Sequence, residues 1–460
     1  MNKIQYKRGV VAVVLVIVTV ILIYTFSSNQ KKDYLSSNIT QPDLSKSELK
    51  NLPVSPENKR VDLKKPVFSN PTKIDNILFP VTNLKQAILL GNDDGRPLQV
   101  VYTLLPESKN RIIDWNGGKV ETRTIQYLAY FDHRLIEYAY DWYAQADDGS
   151  VWYFGEEVFN LSEGVLTDKH GTWLADKDGP VAMIMPANPK TGDVYRVENI
   201  PGVAFEEVAV KSINQTIEGP LGKVSGCMIG SQLHDNGSYS DKIFCPNYGE
   251  FFTEKDLDLE ALAIAIPADT LNKKIPIQLS SLSDSVFNIY NALEKNDWKS
   301  IQNEVRNIKT QWSTLHYNSD KMSKKFITQM DRAIKNIDGD DLEPAALAQH
   351  KIGTMNGAID VAFASLDLAM RYSSSTDVDI ARIPVWSMKT IIDANALEHG
   401  FLLSDVKALE LLFERVEHAM NNNEAKKMSS LVKDLRLAID AEDYNKVKSI
   451  AQEMLKTFSK

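Results

Sequence analysis

Near residue 280 the hydrophobic pattern of this chain changes period, and the change decides the class of fold. Before it, short runs rich in Val, Ile, Tyr, Phe and Trp alternate with Gly, Asp, Asn and Pro: "PLQVVYTLL", "TRTIQYLAYF", "RLIEYAYDWYAQ", "SVWYFGEEV" and "PVAMIMPA". Side chains that point alternately to two faces produce such runs, and their close spacing predicts antiparallel strands. After it, apolar residues return at helical intervals: Val286, Ile289, Tyr290 and Leu293, then Ile301, Val305, Ile308, Trp312 and Leu315. Further helices are predicted near 320–337, 343–372, 385–397, 404–421, 423–440 and 442–458, with Ser404 as an N-cap. The stretch "NIDGDDLE" (336–343) lacks calcium-loop spacing and reads as a helix-to-helix turn, with Pro344 opening the next helix. The chain is therefore read as an α+β, multidomain protein: an antiparallel β domain over 71–266, a linker over 267–281, and a C-terminal all-α bundle of six to eight helices over 282–460.

The first residues point to a membrane. Lys3, Lys7 and Arg8 precede "GVVAVVLVIVTVILIYTF" (9–26), which spans roughly 27 Å as a helix against a hydrocarbon core of about 30 Å. Tyr24 and Phe26 fall where an aromatic belt would lie. A cleaved signal peptide is the alternative, but its apolar core is shorter and ends in an A-x-A-like site. The expectation is an N-terminal transmembrane helix at 9–26, residues 1–8 in the cytoplasm, and the bulk of the chain outside it. Residues 27–70, dominated by Ser, Asn, Lys and Pro, read as a flexible stalk.

Charge and motif content then remove several functions. A net charge of −9 argues against nucleic acid as a partner. The seven histidines are dispersed without zinc-ligand spacing, and no nucleophile elbow, P-loop or dinucleotide fingerprint occurs, so no cofactor is expected. Cys227 and Cys245, separated by eighteen positions with "HDNGSYSD" between them, would oppose one another on two antiparallel strands. Outside the cytoplasm such a pair forms a lasting disulfide; buried free thiols are the alternative.

The densest chemistry lies in "YDWYAQADDGSVWYFGEE" (140–157). Asp147-Asp148-Gly149 fits a three-residue hairpin loop with Gly149 in the left-handed region. Pairing then sets Gln145 against Val151, Ala144 against Trp152, Tyr143 against Tyr153 and Trp142 against Phe154. One face carries Tyr140, Trp142, Ala144, Trp152 and Phe154 and reads as core. The other carries Asp141, Tyr143, Gln145, Val151 and Tyr153, and is either the wetter side of a sheet or a surface for a sugar or a cation. Asp141, Glu156 and Glu157 are the carboxylates that a glycosidase pair would need.

The same stretch resembles a signature found in a family of secreted or membrane-anchored prokaryotic proteins without assigned function. "GTWLADKDG" (171–179), "MPANPKTGDVYRVENIPGVA" (185–204), "CPNYGEFF" (245–252) and the opening "IDNILFP" (74–80) follow in the family's order and spacing. Phe205 stands where the family often has an acid. The resemblance covers roughly residues 74–255 and implies an extracytoplasmic β-rich domain, with no reaction attached. The helical half, through "AIDVAFASLDLAMRY" and "DIARIPVWSMKTIIDA", is loosely similar to uncharacterised membrane-associated bacterial proteins.

These readings converge on a single-pass cell-envelope protein that binds an unidentified envelope ligand or protein. Asp141, Tyr143, Gln145 and Tyr153 are the ligand candidates. Two alternatives stay open. One is an envelope hydrolase acting on glycans through the Tyr and carboxylate face of the hairpin. The other is a metal- or ligand-binding bundle centred on Asp360 and Asp367, which share a polar stripe with Asn356 on an otherwise apolar helix; solvation, or pairing with Arg371 or Arg382, would explain the stripe equally. A concave pocket over the outward face of 141–153 would favour a ligand, whereas cover of Tyr143 and Tyr153 by another strand or by the helical bundle would remove the ligand face.

Overall fold

The computed structural model describes residues 52–93, 96–200, 202–251, 261–317, 322–337 and 351–459. The predicted anchor at 9–26, the stalk up to residue 51, and the turn at 338–343 with Pro344 lie outside the described residues. Among those described, no helix is long and apolar enough to cross a membrane.

Fifteen described strands run in chain order: β1 (Gln86–Asp93), β2 (Arg96–Leu104), β3 (Arg111–Trp115), β4 (Gly118–Phe131), β5 (Arg134–Gln145), β6 (Val151–Ser162), β7 (Val165–Asp168), β8 (Trp173–Leu174), β9 (Ala182–Met185), β10 (Val194–Ile200), β11 (Ala204–Gly219), β12 (Gly222–His234), β13 (Tyr239–Cys245), β14 (Gly249–Glu250) and β15 (Ala261–Ile266). They form two antiparallel sheets. The larger runs β15-β1-β2-β4-β5-β6-β7, with β3 on β4 and with β8 and β9 on β6; the smaller runs β10-β11-β12-β13-β14. The chain therefore closes the larger sheet with its last strand, β15 pairing with β1.

Eight described helices follow: α1 (Ile277–Glu294), α2 (Trp298–Tyr317), α3 (Lys324–Ile337), α4 (Lys351–Ala369), α5 (Ser375–Ala396), α6 (His399–Val416), α7 (Asn422–Asp440) and α8 (Tyr444–Phe458). They cover one face of the larger sheet. Strand alternation shows how the layers divide. Ile88, Leu90, Val101, Leu128 and Tyr130 share a core with Leu282, Ile359 and Leu409 of the helices. Their neighbours Ala87, Leu89, Val100 and Ala129 pack instead with Cys227, Ile243, Cys245 and Phe251 of the smaller sheet. The larger sheet is thus the middle of three layers, which explains why β1 and β2 are apolar on both faces.

Three sequence expectations are corrected here. Helix α5 begins at Ser375, not 385; Ser374 caps it by accepting from the Asp377 amide, and Pro384 lies inside it, buried. Ser404 is not an N-cap, because α6 starts at His399. Its hydroxyl accepts from the Leu135 amide at 2.9 Å and so ties α6 to the start of β5. Residues 52–70, expected as the end of the stalk, lie against the sheets. The Ser55 amide donates to Glu207, Arg60 bridges to Val194, and Phe68 packs edge-on against Trp115 and Phe154.

Candidate functional site

The hairpin at 140–157 has the predicted loop. The Gly149 amide donates to Ala146, the Ala146 amide to Ser150, and Gly149 has φ +91°. The predicted register holds for Gln145↔Val151, Ala144↔Trp152 and Tyr143↔Tyr153, then fails: Asp141 pairs with Glu156, so Trp142 does not face Phe154 alone. One extra residue is inserted in β6 at Phe154–Gly155. This is a β-bulge, and it moves every later side chain of β6 to the opposite face. Glu156 thereby joins Asp141, Tyr143 and Tyr153, where unbroken alternation would have set it beside Phe154. Gly155 has φ +123°, and a Cβ there would sit 2.2 Å from the Trp173 carbonyl oxygen. Only glycine lets β8 pair so closely with the bulged strand.

The face predicted as core is core. Phe154 is covered by Phe68 and Trp115, Trp142 by the guanidinium of Arg111, and the Tyr140 hydroxyl donates to Glu414 of α6. The opposite face is not the wet side of a sheet. It looks inward, across to the smaller sheet, and the two layers leave a cavity of about 200 Å³ between them. Phe79, Leu84, Ile184 and Val197 supply apolar wall, and Tyr143 and Tyr153 stack with centroids 4.7 Å apart. Six carboxyl side chains line the space: Glu137, Asp141, Glu156, Glu198, Glu206 and Glu250. His170 is beside them, and no Lys or Arg is among the lining residues.

Glu250 and Glu206 have basic partners. Glu250 pairs with Lys242, and Glu206 lies 3.4 Å from His234. Asp141, Glu156 and Glu198 have no cationic partner among the described residues and are held by neutral donors and by each other. The Tyr153 hydroxyl donates to Asp141 at 3.1 Å, the Trp173 indole donates to Glu198 at 3.3 Å, and Glu156 and Glu198 share a hydrogen bond. Burial is the main force on all three. It pushes Asp141 up to about 7 against the opposing Tyr153 hydrogen bond. It raises Glu198 to about 8, helped by the charge of Glu206, and drives Glu156 well above the usual carboxyl range, helped by Glu198 and Asp141.

Of the four ligand candidates, Asp141, Tyr143 and Tyr153 line this cavity and Gln145 does not. Gln145 accepts from the Asp75 and Asn76 amides, each at 2.9 Å, and latches the incoming segment to the hairpin end. Glu157 points away and pairs with exposed Lys169. The two metal candidates are not brought together with other ligands. Asp367 is bonded to Arg382 at 2.6 Å and to Gln99 and Gln329, while Asp360 meets His133 at 3.2 Å and Asn336 at 3.3 Å. Among the described residues no group of three or more His, Cys, Asp or Glu could hold a metal ion. Cys227 and Cys245 form a disulfide between β12 and β13.

Sequence reasoning missed Glu137, Glu198, Glu206 and Glu250 as site residues. A signal existed: "YRVENIPGVAFEE" sets acids inside apolar strand runs, where an unpaired carboxylate is costly. Phe205 itself is buried under Arg196 and does not line the cavity. No protein-family model, curated protein or solved structure matches the chain. Five separate stretches of the chain meet in space: Phe79 and Pro80, Asp141 to Glu156 of the hairpin through Tyr143 and Tyr153, Gly171, Glu198 with Val203 and Ala204, and Tyr248 to Glu250 line the same cavity.

Proposed function

We propose that this is a membrane-anchored cell-envelope protein that captures a small ligand in the cavity between its two sheets. In this reading residues 9–26 hold it in the membrane, the N-terminus is cytoplasmic, and the β and helical units stand outside. The observation that carries the ligand site is the convergence of five separate sequence segments on a partly open cavity containing buried, cation-free carboxyls. Polar groups of that kind destabilise a fold unless something else needs them. The volume is below the roughly 300–1,000 Å³ of drug-sized sites, so the ligand is small. The helical unit then serves as a rigid backing: through Tyr140 and Glu414 it fixes the outer face of the strand whose inner face holds Asp141.

The test is a thermal-shift panel of sugars, amines, amino acids and carboxylic acids on the full-length protein and on Asp141→Asn. A ligand that stabilises the wild type and not the variant supports the site, and a panel without effect on either removes it. Anchorage is tested separately: alkaline extraction should leave the protein in the membrane pellet, and its release to the supernatant would rule the anchor out.

Hydrolysis of glycans is the second reading, motivated by the raised carboxyls in a cleft. A glycosidase needs one carboxyl ionised and one protonated, set apart by their surroundings. Asp141, Glu156 and Glu198 are all pushed the same way, which favours binding. Release of reducing sugar from purified envelope polysaccharide, abolished in Asp141→Asn, would reverse this preference.

A further inference from the structure

We propose that the inter-sheet cavity binds a small organic ammonium ion, its charged nitrogen held by Asp141 with the Glu156–Glu198 pair beside it and its apolar part against Phe79, Ile184 and Val197. This rests on the reading of the cavity as a ligand site and adds the chemical class of the ligand.

The argument begins with the charges that are absent. The ionisable groups facing the space are the six carboxyls, His170 and tyrosine hydroxyls, and the nearest compensating bases, Lys242 and His234, are already engaged by Glu250 and Glu206. An anionic ligand would meet carboxyls with no Lys or Arg to hold it. A neutral sugar would find the Tyr153 hydroxyl and the Trp173 indole already spent on Asp141 and Glu198, and the donors that remain include the carboxyl protons themselves. Once those protons leave, the site presents acceptors in excess. Asp141 is 6 % exposed, its Oδ1 accepts from Tyr153, and its Oδ2 has no hydrogen-bond partner among the described residues. Asp141 lines the cavity, so its second oxygen is the acceptor left for a ligand. An unpaired, buried acceptor beside a hydrogen-bonded carboxyl pair fits a group that carries several N–H donors and a positive charge. The apolar wall beyond it fits a short hydrocarbon or aromatic portion.

The bare site holds protons where the bound site would hold the cation. Binding must therefore expel a proton: the carboxyl that ionises to meet the ammonium releases one proton to solvent, and the net charge of the site is then conserved. Affinity should then rise with pH across the range in which these carboxyls are protonated, by roughly tenfold per pH unit for each proton released.

The experiment is calorimetric titration of the full-length protein with benzylamine, protonated throughout the range used, and with benzyl alcohol, its neutral analogue. Titrations at pH 6, 7 and 8 in two buffers of different ionisation heat count the protons released. The expected result is saturable binding of benzylamine, proton release at pH 6 and 7, affinity at least tenfold tighter at pH 8 than at pH 6, and at least tenfold weaker binding of benzyl alcohol. Asp141→Asn should weaken benzylamine at least tenfold and leave benzyl alcohol unchanged, with the circular dichroism of the variant confirming its fold. Equal affinity for the amine and the alcohol, or binding of the amine that does not tighten with pH, overturns the ammonium proposal. If benzylamine does not bind but a sugar or an acid from the wider panel does so through Asp141, the ammonium class falls and the ligand site stands. If nothing in either set binds, both fall.

Discussion

Asp141 and Glu156 oppose one another across β5 and β6 because β6 carries one residue more than β5 between this pair and Tyr143↔Tyr153. Without the bulge, Glu156 would lie on the face of Phe154, among Phe68 and Trp115, where a carboxyl has no partner. The insertion sets Glu156 on the cavity face, where it pairs with Glu198. It survives because position 155 is glycine.

Gly155→Ala should therefore be among the most damaging small substitutions in the chain. It combines a backbone at φ +123° with an overlap against the Trp173 carbonyl at 2.2 Å. Strain and overpacking together predict a loss on the order of 3 kcal/mol. Denaturant unfolding measures it, and a midpoint unchanged from wild type would mean that the bulge is not required. Gly149→Ala, in the loop at φ +91° with only Ala187 nearby at 3.5 Å, should cost less.

The contrast between those two glycines marks what the sequence could disclose. The Asp-Asp-Gly loop is a local event with local chemistry, so turn, hairpin and first three cross-strand pairs were readable from "AQADDGSVWY". The bulge is not local. It answers to Trp173 and Leu174, which approach β6 from eighteen residues further on. Alternation from the loop outward therefore assigned Glu156 to the wrong face. The helices α1 and α2 were legible for the same reason as the loop, since their apolar spacing is internal. Ser404 was misread because its strong local preference for an N-cap is overridden by burial against the neighbouring sheet. The cavity itself was half legible. Its β5–β6 side was visible as a tyrosine and carboxylate face, whereas Glu198 and Glu206 belong to a second sheet whose docking no periodicity reports.

The pH dependence of stability follows from Asp141, Glu156 and Glu198. Unfolded carboxyls titrate near 4, while burial pushes Asp141 to about 7 and Glu198 to about 8 in the folded chain. Between these limits the folded state binds more protons than the unfolded state, so their contribution is complete below about pH 4 and is lost as pH rises toward 8. Asp405, raised to about 8 by burial in the helical layer, acts in the same direction. Asp141→Asn and Glu198→Gln isolate the cavity. Each should flatten the fall in Tm between pH 5 and pH 8 relative to wild type, and parallel curves would mean that these carboxyls are ionised in the folded protein.

Asp367 and Asp360 separate a structural role from a metal site. Asp367 is 2 % exposed and neutralises Arg382, which also pairs with Asp379, itself bonded to Arg415. Asp367→Ala leaves the guanidinium short of charge and the Gln99 and Gln329 amides without their acceptor, and should cost about 3–5 kcal/mol. Asp360→Ala, at a half-buried site, should cost no more than about 1 kcal/mol. Elemental analysis should find the same metal content in wild type and both variants. Metal present in the wild type and lost from either variant would restore the bundle as a metal site.

The disulfide links the stability of the cavity to the compartment of the protein. Cys227 and Cys245 are both fully buried, and the bond packs with Ala87, Leu89 and Phe251 in the layer that joins the smaller sheet to the larger. The smaller sheet contributes Glu198, Glu206 and Glu250 to the cavity, so loosening it should open the site as well as weaken the fold. Closing a loop with an 18-residue separation contributes roughly 3 kcal/mol. The variant with both cysteines changed to alanine should lose about that much and unfold at correspondingly lower denaturant. Reductant alone should act slowly on the folded protein, because neither sulfur is accessible, and fast once guanidinium is added. Non-reducing peptide mapping of protein made under oxidising conditions should recover the two peptides joined. Recovery of both as alkylated free thiols would remove the bond, and with it one of the supports for an extracytoplasmic location.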